Sequence, residues 1–377
     1  MKGVGYLARH DVRGNLDRAV ATLEEATRQD PKYALAWAAL GDAYWKKSRQ
    51  ATDTKWGALA VESIQRAIQM EPGLAIAHVK LSEILSGSGR ATEAVEEARR
   101  ALKIMPDNAE AFRALAGAYA AAGRMQEAED AYLSAIRRQP ADWYGHFALG
   151  LFYSRQGRDG QARTAWDNAR KLTPDNELVH RNLAVLSMRE GKFKEASDLI
   201  ERTLKFEPGA RIYSTLGVAL YYQRRYGEAA AALNSAIGLN PDVYLIWGNL
   251  GTVYRHLAGR EQMAGEAFRN AIELGGKVLQ VTPGDYNSRA NVAEYQAKLG
   301  NKASALEEIQ RIPMAERAAY ADRVILAYEL SGERQRAVEM LLSLPTDAAV
   351  LNYIRRDPDL DAMWTDPALE ALRQARN

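Results

Sequence analysis

The sequence predicts an all-α chain of stacked helix pairs, an α-solenoid of about ten units, and three observations carry that prediction. Prolines punctuate the chain, and the four steps from Pro72 through Pro106, Pro140 and Pro174 to Pro208 are each 34 residues. Between successive prolines lie two apolar stripes with helical spacing, at positions 4, 7, 8 and 11 of each unit and again at 20, 24 and 27. Gly89, Gly123, Gly157, Gly191, Gly300 and Gly332 stand between the two stripes, where a residue able to take positive φ ends the first helix.

The proline steps define the units. Proline cannot continue a helix interior and restricts the residue before it, so each one closes a pair and opens the next. A truncated first unit covers 1–31, and the following units end near Pro72, Pro106, Pro140, Pro174, Pro208, Pro241, Pro283, Pro313 and Pro345. The second unit carries extra residues in its turn, near KKSRQATDTKWGA, and the unit ending at Pro283 carries extra residues in IELGGKVLQVTP, which predicts a lengthened second helix. The unit ending at Pro313 has Arg289 where the others have a large packing residue. Residues 346–377, with DPDLDAMWTDPALEAL, read as one or two C-terminal capping helices with a polar outer face.

Within a unit the residue sizes alternate as close helix packing requires. Trp37, Leu40, Gly41 and Tyr44 recur as Trp247, Leu250, Gly251 and Tyr254, both reading W-x-x-L-G-x-x-Y. Small residues follow at position 20, as Ala94, Ala128, Ala162, Ala196 and Ala229, and larger ones four later, as Tyr132, Trp166, Ile200 and Leu233. Small residues at 8 and 20 let the two helices approach, and large ones beside them fill the remaining space.

Composition excludes several function classes. The 50 basic and 48 acidic residues leave a net charge of +2, so no global electrostatic grip on nucleic acid or an anionic membrane is implied. A hydrophobic fraction of 47% is enough to offset the entropy of ordering. There is no cysteine, which removes disulfides, thiolate nucleophiles and thiolate metal sites together. No stretch approaches 18 uncharged apolar residues, and the start, MKGVGYLARHDVRG, lacks a signal-type apolar core, so membrane insertion is not expected and a cytoplasmic location is. An extracytoplasmic location would follow only from tethering beyond a membrane segment of a longer parent.

The ordered residue set resembles the tetratricopeptide repeat over nearly the whole chain. That resemblance implies a right-handed superhelix whose first helices line the inner surface, with positions 2, 5, 6, 9, 12 and 13 facing a groove. In the middle units these are Tyr144, Phe147, Leu151 and Arg155; Arg181, Asn182, Val185 and Arg189; Arg211, Thr215, Tyr221 and Tyr222; and Asn249 and Arg255. Apolar and aromatic surface interleaved with arginine suits an extended or helical peptide, whose carboxylates or main-chain oxygens the guanidinium groups would fix.

Other signals carry less. His78, His146 and His180 share position 4, but equivalent positions on neighbouring helices lie about 8–10 Å apart, too far to share a zinc ion, so they read as packing residues. Asn182, Asn249 and Asn291 at position 6 do not form a continuous ladder, because Ala148, Thr215 and Arg323 interrupt it. The family's carboxylate clamp is not met, since Val185 stands where a polar group is needed. There is no G-x-x-x-x-G-K-[ST], G-x-S-x-G or H-E-x-x-H, so no reaction centre and no cofactor are expected.

The opening YLARHDVRGNLDRAVATLEEATRQDP and the closing DPDLDAMWTDPALEAL are also similar to the borders of the repeat region in bacterial serine/threonine kinase and adenylate cyclase signalling proteins, although no kinase motif is present. The expected function is a non-catalytic scaffold for protein or peptide partners, linked to such an effector. The alternatives are a region presenting substrates to an enzyme such as a glycosyltransferase, and a homo-oligomer associating through its ends.

Overall fold

A computed structural model describes residues 2–8, 14–48, 55–205, 208–345 and 350–374. The described residues are helical with no strand. They form two compact units, residues 1–173 and 174–377.

Unit 1 contains α1 (Lys2–Ala8), α2 (Asn15–Gln29), α3 (Ala34–Ser48), α4 (Lys55–Met70), α5 (Ala75–Gly87), α6 (Ala91–Ile104), α7 (Ala109–Ala121), α8 (Met125–Arg138), α9 (Trp143–Arg155) and α10 (Asp159–Leu172). Each odd-numbered helix packs on the next as a hairpin, and the first helices of successive pairs also touch, α3 on α5, α5 on α7 and α7 on α9. The extra residues expected in the turn between α3 and α4 lie largely outside the described residues.

Unit 2 repeats the plan with α11 (Glu177–Arg189), α12 (Phe193–Leu204), α13 (Ala210–Tyr222), α14 (Tyr226–Leu239), α15 (Tyr244–Arg255), α16 (Glu261–Val281), α17 (Tyr286–Lys298), α18 (Lys302–Gln310), α19 (Ala321–Ser331) and α20 (Arg334–Leu342). The residues inserted before Pro283 lengthen α16 to 21 residues. A 3₁₀ stretch, Met314–Tyr320, leads into α19.

The small residues at positions 8 and 20 do what their size allows. Ala94, Ala128, Ala162, Ala196 and Ala229 are fully buried. At Gly150 a Cβ would lie 2.4 Å from Trp166 Nε1, which donates to the Phe147 carbonyl at 3.2 Å, so the indole itself demands glycine there. The six turn glycines have φ between 70° and 89°, and Arg224 takes φ 60° at the corresponding turn between α13 and α14.

Position 4 has a second duty besides packing. Trp37 donates its indole N–H to the Pro31 carbonyl at 3.0 Å, and Trp247 does the same to Pro241 at 2.7 Å. His78 and His146 approach the Pro72 and Pro140 carbonyls at 3.1 and 3.3 Å. A carbonyl only accepts, so Nε2 carries the proton in both rings. Arg289 completes the set with a 2.9 Å bond to the Pro283 carbonyl, while its other nitrogen pairs with Glu308 at 2.5 Å. Trp, His and Arg are thus interchangeable as N–H donors to the closing proline six residues earlier.

The last segment departs from a pair of capping helices. It consists of α21 (Leu351–Ile354), short 3₁₀ turns at Pro358–Leu360, Met363–Thr365 and Pro367–Leu369, and α22 (Glu370–Gln374). Leu351, Ile354, Leu360, Met363 and Leu369 are all buried in one core with Ile325, Leu326 and Leu341 of α19 and α20. Asp357 and Asp366 start two of the turns by accepting from the backbone N–H two residues on. Prolines at the first turn positions and capping aspartates break the segment into turns, and this lets it run back across the unit.

Candidate functional site

In unit 1 charged side chains of the first helices pair across from one helix to the next. Lys80 of α5 reaches Glu83 at 3.1 Å and crosses to Glu110 of α7 at 3.0 Å. Arg113 of α7 crosses to Asp142, the N-cap of α9, at 2.6 Å, and its guanidinium lies 5.3 Å from the Tyr144 ring centre. Asp42 of α3 pairs with Lys46. Tyr144 is 46% exposed and Leu35, on α3, 49%.

These groups are half-buried, so their charges interact through less water than at a flat surface. Burial works against the Lys80 ammonium, but Glu83, Asp42 and Glu110 outweigh it and hold the group more firmly protonated than an ordinary lysine. Burial pushes the Glu83 carboxyl up, with Lys80 opposing. Burial also raises the Tyr144 hydroxyl, helped by Glu83. Such a surface offers peptide N–H and C=O groups both acceptors and donors, with an aromatic ring beside them.

In unit 2 the equivalent faces meet the chain's own C-terminal segment. Asn352 Nδ2 donates to the Arg189 carbonyl at 2.7 Å. Tyr353 sets its ring edge-on to Tyr222 at 5.4 Å and to Phe193 at 5.9 Å, and Tyr222 stacks on Phe193 at 4.6 Å. The Tyr221 hydroxyl donates to Asp357 Oδ1 at 3.1 Å. Asp359 faces Arg255 at 3.3 Å, His256 at 3.6 Å and Lys298 at 3.7 Å, and Asp361 pairs with Arg224 at 3.1 Å.

Apart from the exposed Arg224–Asp361 pair, this cluster is largely withdrawn from solvent. The Lys298 side chain is only 2% exposed and donates to Glu294 at 2.7 Å and to Thr252 Oγ1 at 2.9 Å. Burial opposes its charge, but Glu294, Asp359 and Asp357 outweigh that and raise its pKa. Burial pushes the Asp357 carboxyl up to about 6, against the pull of Lys298. Burial lowers the His256 imidazole, against the pull of Asp359. A cavity of about 60 Å³ lies beside Asp357, bordered by Asn249, Thr252, Glu294 and Lys298.

The residues expected to face a groove therefore meet different fates. Tyr144 is exposed, Arg155 is exposed and Leu151 is half-buried, whereas Phe147 is 5% exposed and packs against Trp143 and Tyr144. Val185 and Arg211 are exposed. Arg181 pairs with Glu177 at 2.8 Å, the Asn182 amide donates to the Leu178 carbonyl at 2.7 Å, and the Thr215 hydroxyl donates to the Arg211 carbonyl at 2.9 Å. Tyr221, Tyr222, Arg255 and the Arg189 carbonyl contact the C-terminal segment, and Asn249 lines the cavity beside it. Contacts here reach beyond neighbouring helix pairs, since Tyr221 and Asp357 are 136 residues apart. Asp42, Lys80, Glu83, Glu110 and Arg113 occupy the same inner positions in the first units and were legible from the same register.

Among the described residues, no group of three or more His, Asp or Glu is placed to hold a metal ion, and no helix is long and apolar enough to cross a membrane.

Comparisons with known proteins agree on one repeat. A family model described as TPR repeat matches residues 13–48, and two described as tetratricopeptide repeat match 85–146 and, in two copies, 147–211 and 214–278. No curated protein matches the sequence. Among solved structures, the APC/C hetero-tetramer Cut9–Hcn1 is similar at 16% identity and TM-score 0.54, over 87% of this chain and 59% of that one. A human IFIT1 dimer with PPP-AAAA is similar at 19% identity and TM-score 0.51, over 79% of this chain and 67% of that one. Pseudomonas aeruginosa pilF is 20% identical with TM-score 0.48, over 59% of this chain and 97% of that one. At these identities the likeness shows the fold alone.

Proposed function

Because this chain belongs to the tetratricopeptide repeat family, we propose that it is a non-catalytic scaffold that holds protein or peptide partners, and that the first-helix wall of unit 1 is where it does so. The observation that supports this reading is a pair of ion pairs that cross between successive first helices, Lys80 to Glu110 and Arg113 to Asp142, beside the exposed Tyr144 ring, with Glu83 and Asp42 adding charge to the Lys80 site. Four carboxylates, counting Asp142, stand against Lys46, Lys80 and Arg113, so the wall presents both signs of charge to a main chain and its side chains.

The test is a pull-down from the source cell with the full chain and with Lys80→Glu/Arg113→Glu. Partners bound through the wall should fall at least about tenfold while circular dichroism shows helix content retained. Retention of the same partners at the same level would end the reading. The finer reading, that the scaffold serves a bacterial kinase or cyclase signalling protein in the cytoplasm, draws its support from the likeness of the opening and closing segments. A reading frame or neighbouring coding sequence with no effector core would remove it.

A further inference from the structure

We propose that the wall of unit 2 is a second recognition site, for peptides carrying aspartate at alternate positions, and that the chain's own residues 350–369 rest on it as a resident ligand. The site is separate from the wall of unit 1 and does not depend on that reading.

Charge complementarity carries the inference. The segment presents Asp357, Asp359 and Asp361, and the wall meets them with one cation per repeat: Arg224 after α13, Arg255 at the end of α15 and Lys298 at the end of α17. Arg224 takes Asp361 at 3.1 Å, while Arg255 and Lys298 converge on Asp359 at 3.3 and 3.7 Å. Asp357 is read by a hydroxyl, that of Tyr221. Three successive repeats thus each supply a group for one short acidic run.

A further observation concerns the turn after α13. Arg224 holds left-handed backbone at φ 60° in a turn where other pairs use glycine, and that backbone carries the guanidinium that meets Asp361. At the preceding turn Gly191 keeps the positive φ of the repeat, and the Arg356 side chain of the segment lies against it and 5.5 Å over the Phe193 ring.

What fastens the segment is distinct from what the wall reads. The apolar anchors Leu351, Ile354, Leu360, Met363 and Leu369 belong to the core of α17–α20, whereas the charge pairs are made by α13, α15 and α17. Lys298 and Asp359 are desolvated to make their pair, and desolvation cancels much of the Coulomb gain, so these contacts select a sequence more than they clamp it. A partner with the same acidic spacing would compete directly with the resident segment, whose tether gives it an effective concentration on the order of millimolar.

The probe is a fluorescent peptide with the sequence of residues 350–369, titrated into the full chain, into Asp359→Asn/Asp361→Asn, and into that double variant with Arg224→Glu/Arg255→Glu added. The double variant, with its resident ligand weakened and its wall intact, should bind the peptide at least tenfold more tightly than the unaltered chain. Adding the wall substitutions should abolish binding, as should replacing the peptide's three central aspartates by asparagine. Lys80→Glu should change nothing. Hydrogen exchange on the unaltered chain gives an arm that needs no variant: amides of residues 357–366 should open at least tenfold more often than those of α13 and α17. Equal binding of the asparagine peptide, or exchange of residues 357–366 only in step with α13 and α17, would overturn the proposal.

Discussion

The walls of the two units are built from the same positions of the same repeat, and they differ in what lies against them. In unit 1 the inner charges pair with one another across adjacent first helices, as Lys80 does with Glu110 and Arg113 with Asp142. In unit 2 they pair with a segment more than 100 residues further along, as Arg255 does with Asp359 and Arg224 with Asp361. The lesson is that a register position specifies which way a side chain points and leaves open what it meets. Phe147 and Tyr221 make the same point on a smaller scale: both occupy inner positions, and both are 5% exposed because an aromatic ring folds onto neighbouring rings where a charged group would stay in water.

The contrast can be broken most severely at the anchors. Leu360 is 1% exposed, and Leu360→Asp would bury a carboxylate without a partner, at a cost of about 4 kcal/mol or more. Hydrogen exchange should show α19 and the C-terminal segment losing protection while α3–α10 keep theirs. Equal loss in both units would mean that the segment is not a local fixture of unit 2.

A pH change tests the buried carboxyl. Asp357 has a pKa of about 6 in the folded chain against 3.8 for the unperturbed group, so the docked state holds this proton more tightly than the free segment. Its contribution is full below about pH 4 and is lost as pH rises through about 6, and it amounts to up to about 3 kcal/mol across that window. The groups facing it are Tyr221 and Tyr222 from α13, Glu294 and Lys298 from α17, and Asp359 beside it. Protection factors for residues 350–369 should therefore fall between about pH 4 and pH 6.5, and Asp357→Asn should flatten the fall. A rise over that interval would contradict the assignment, and unit 1 should show no corresponding step.

A smaller effect compares the proline-carbonyl donors of the two units. Arg289→Met removes the bond to Pro283 and leaves Glu308 partly buried without this partner, which should cost about 2 kcal/mol. His146→Phe in unit 1 keeps the ring and loses only the bond to Pro140, so denaturant unfolding should show about 1 kcal/mol or less. Equal costs would mean that the carbonyl bond, and not the ion pair, dominates at Arg289.

Much of the fold was legible because it repeats. The 34-residue proline steps, the W-x-x-L-G-x-x-Y runs and the turn glycines all record short-range packing that every pair must satisfy. Arg289 was harder to read, since a hydrophobic template sees an irregularity where the structure has a hydrogen-bond donor. In the wall of unit 1, Asp42, Lys80, Glu83, Glu110 and Arg113 stand at the same register positions as Tyr144, Arg181, Asn182 and Val185. The covering of unit 2's wall had no periodic signal at all, although its ingredients, the aspartates of DPDLDAMW and the arginines of the wall, stand in plain view.

Periodicity alone determined that this chain folds as helix pairs, where each pair begins and ends, and which helix faces remain free of pair packing, because those contacts join residues a few tens of positions apart. Only the tertiary structure decided that one set of free faces stays paired within its own wall and another is covered by the chain's end. That outcome depends on contacts spanning 61 to 163 residues, from Lys298–Asp359 to Arg189–Asn352, whose complementary charges and rings carry no mark in the sequence of the partner they will find.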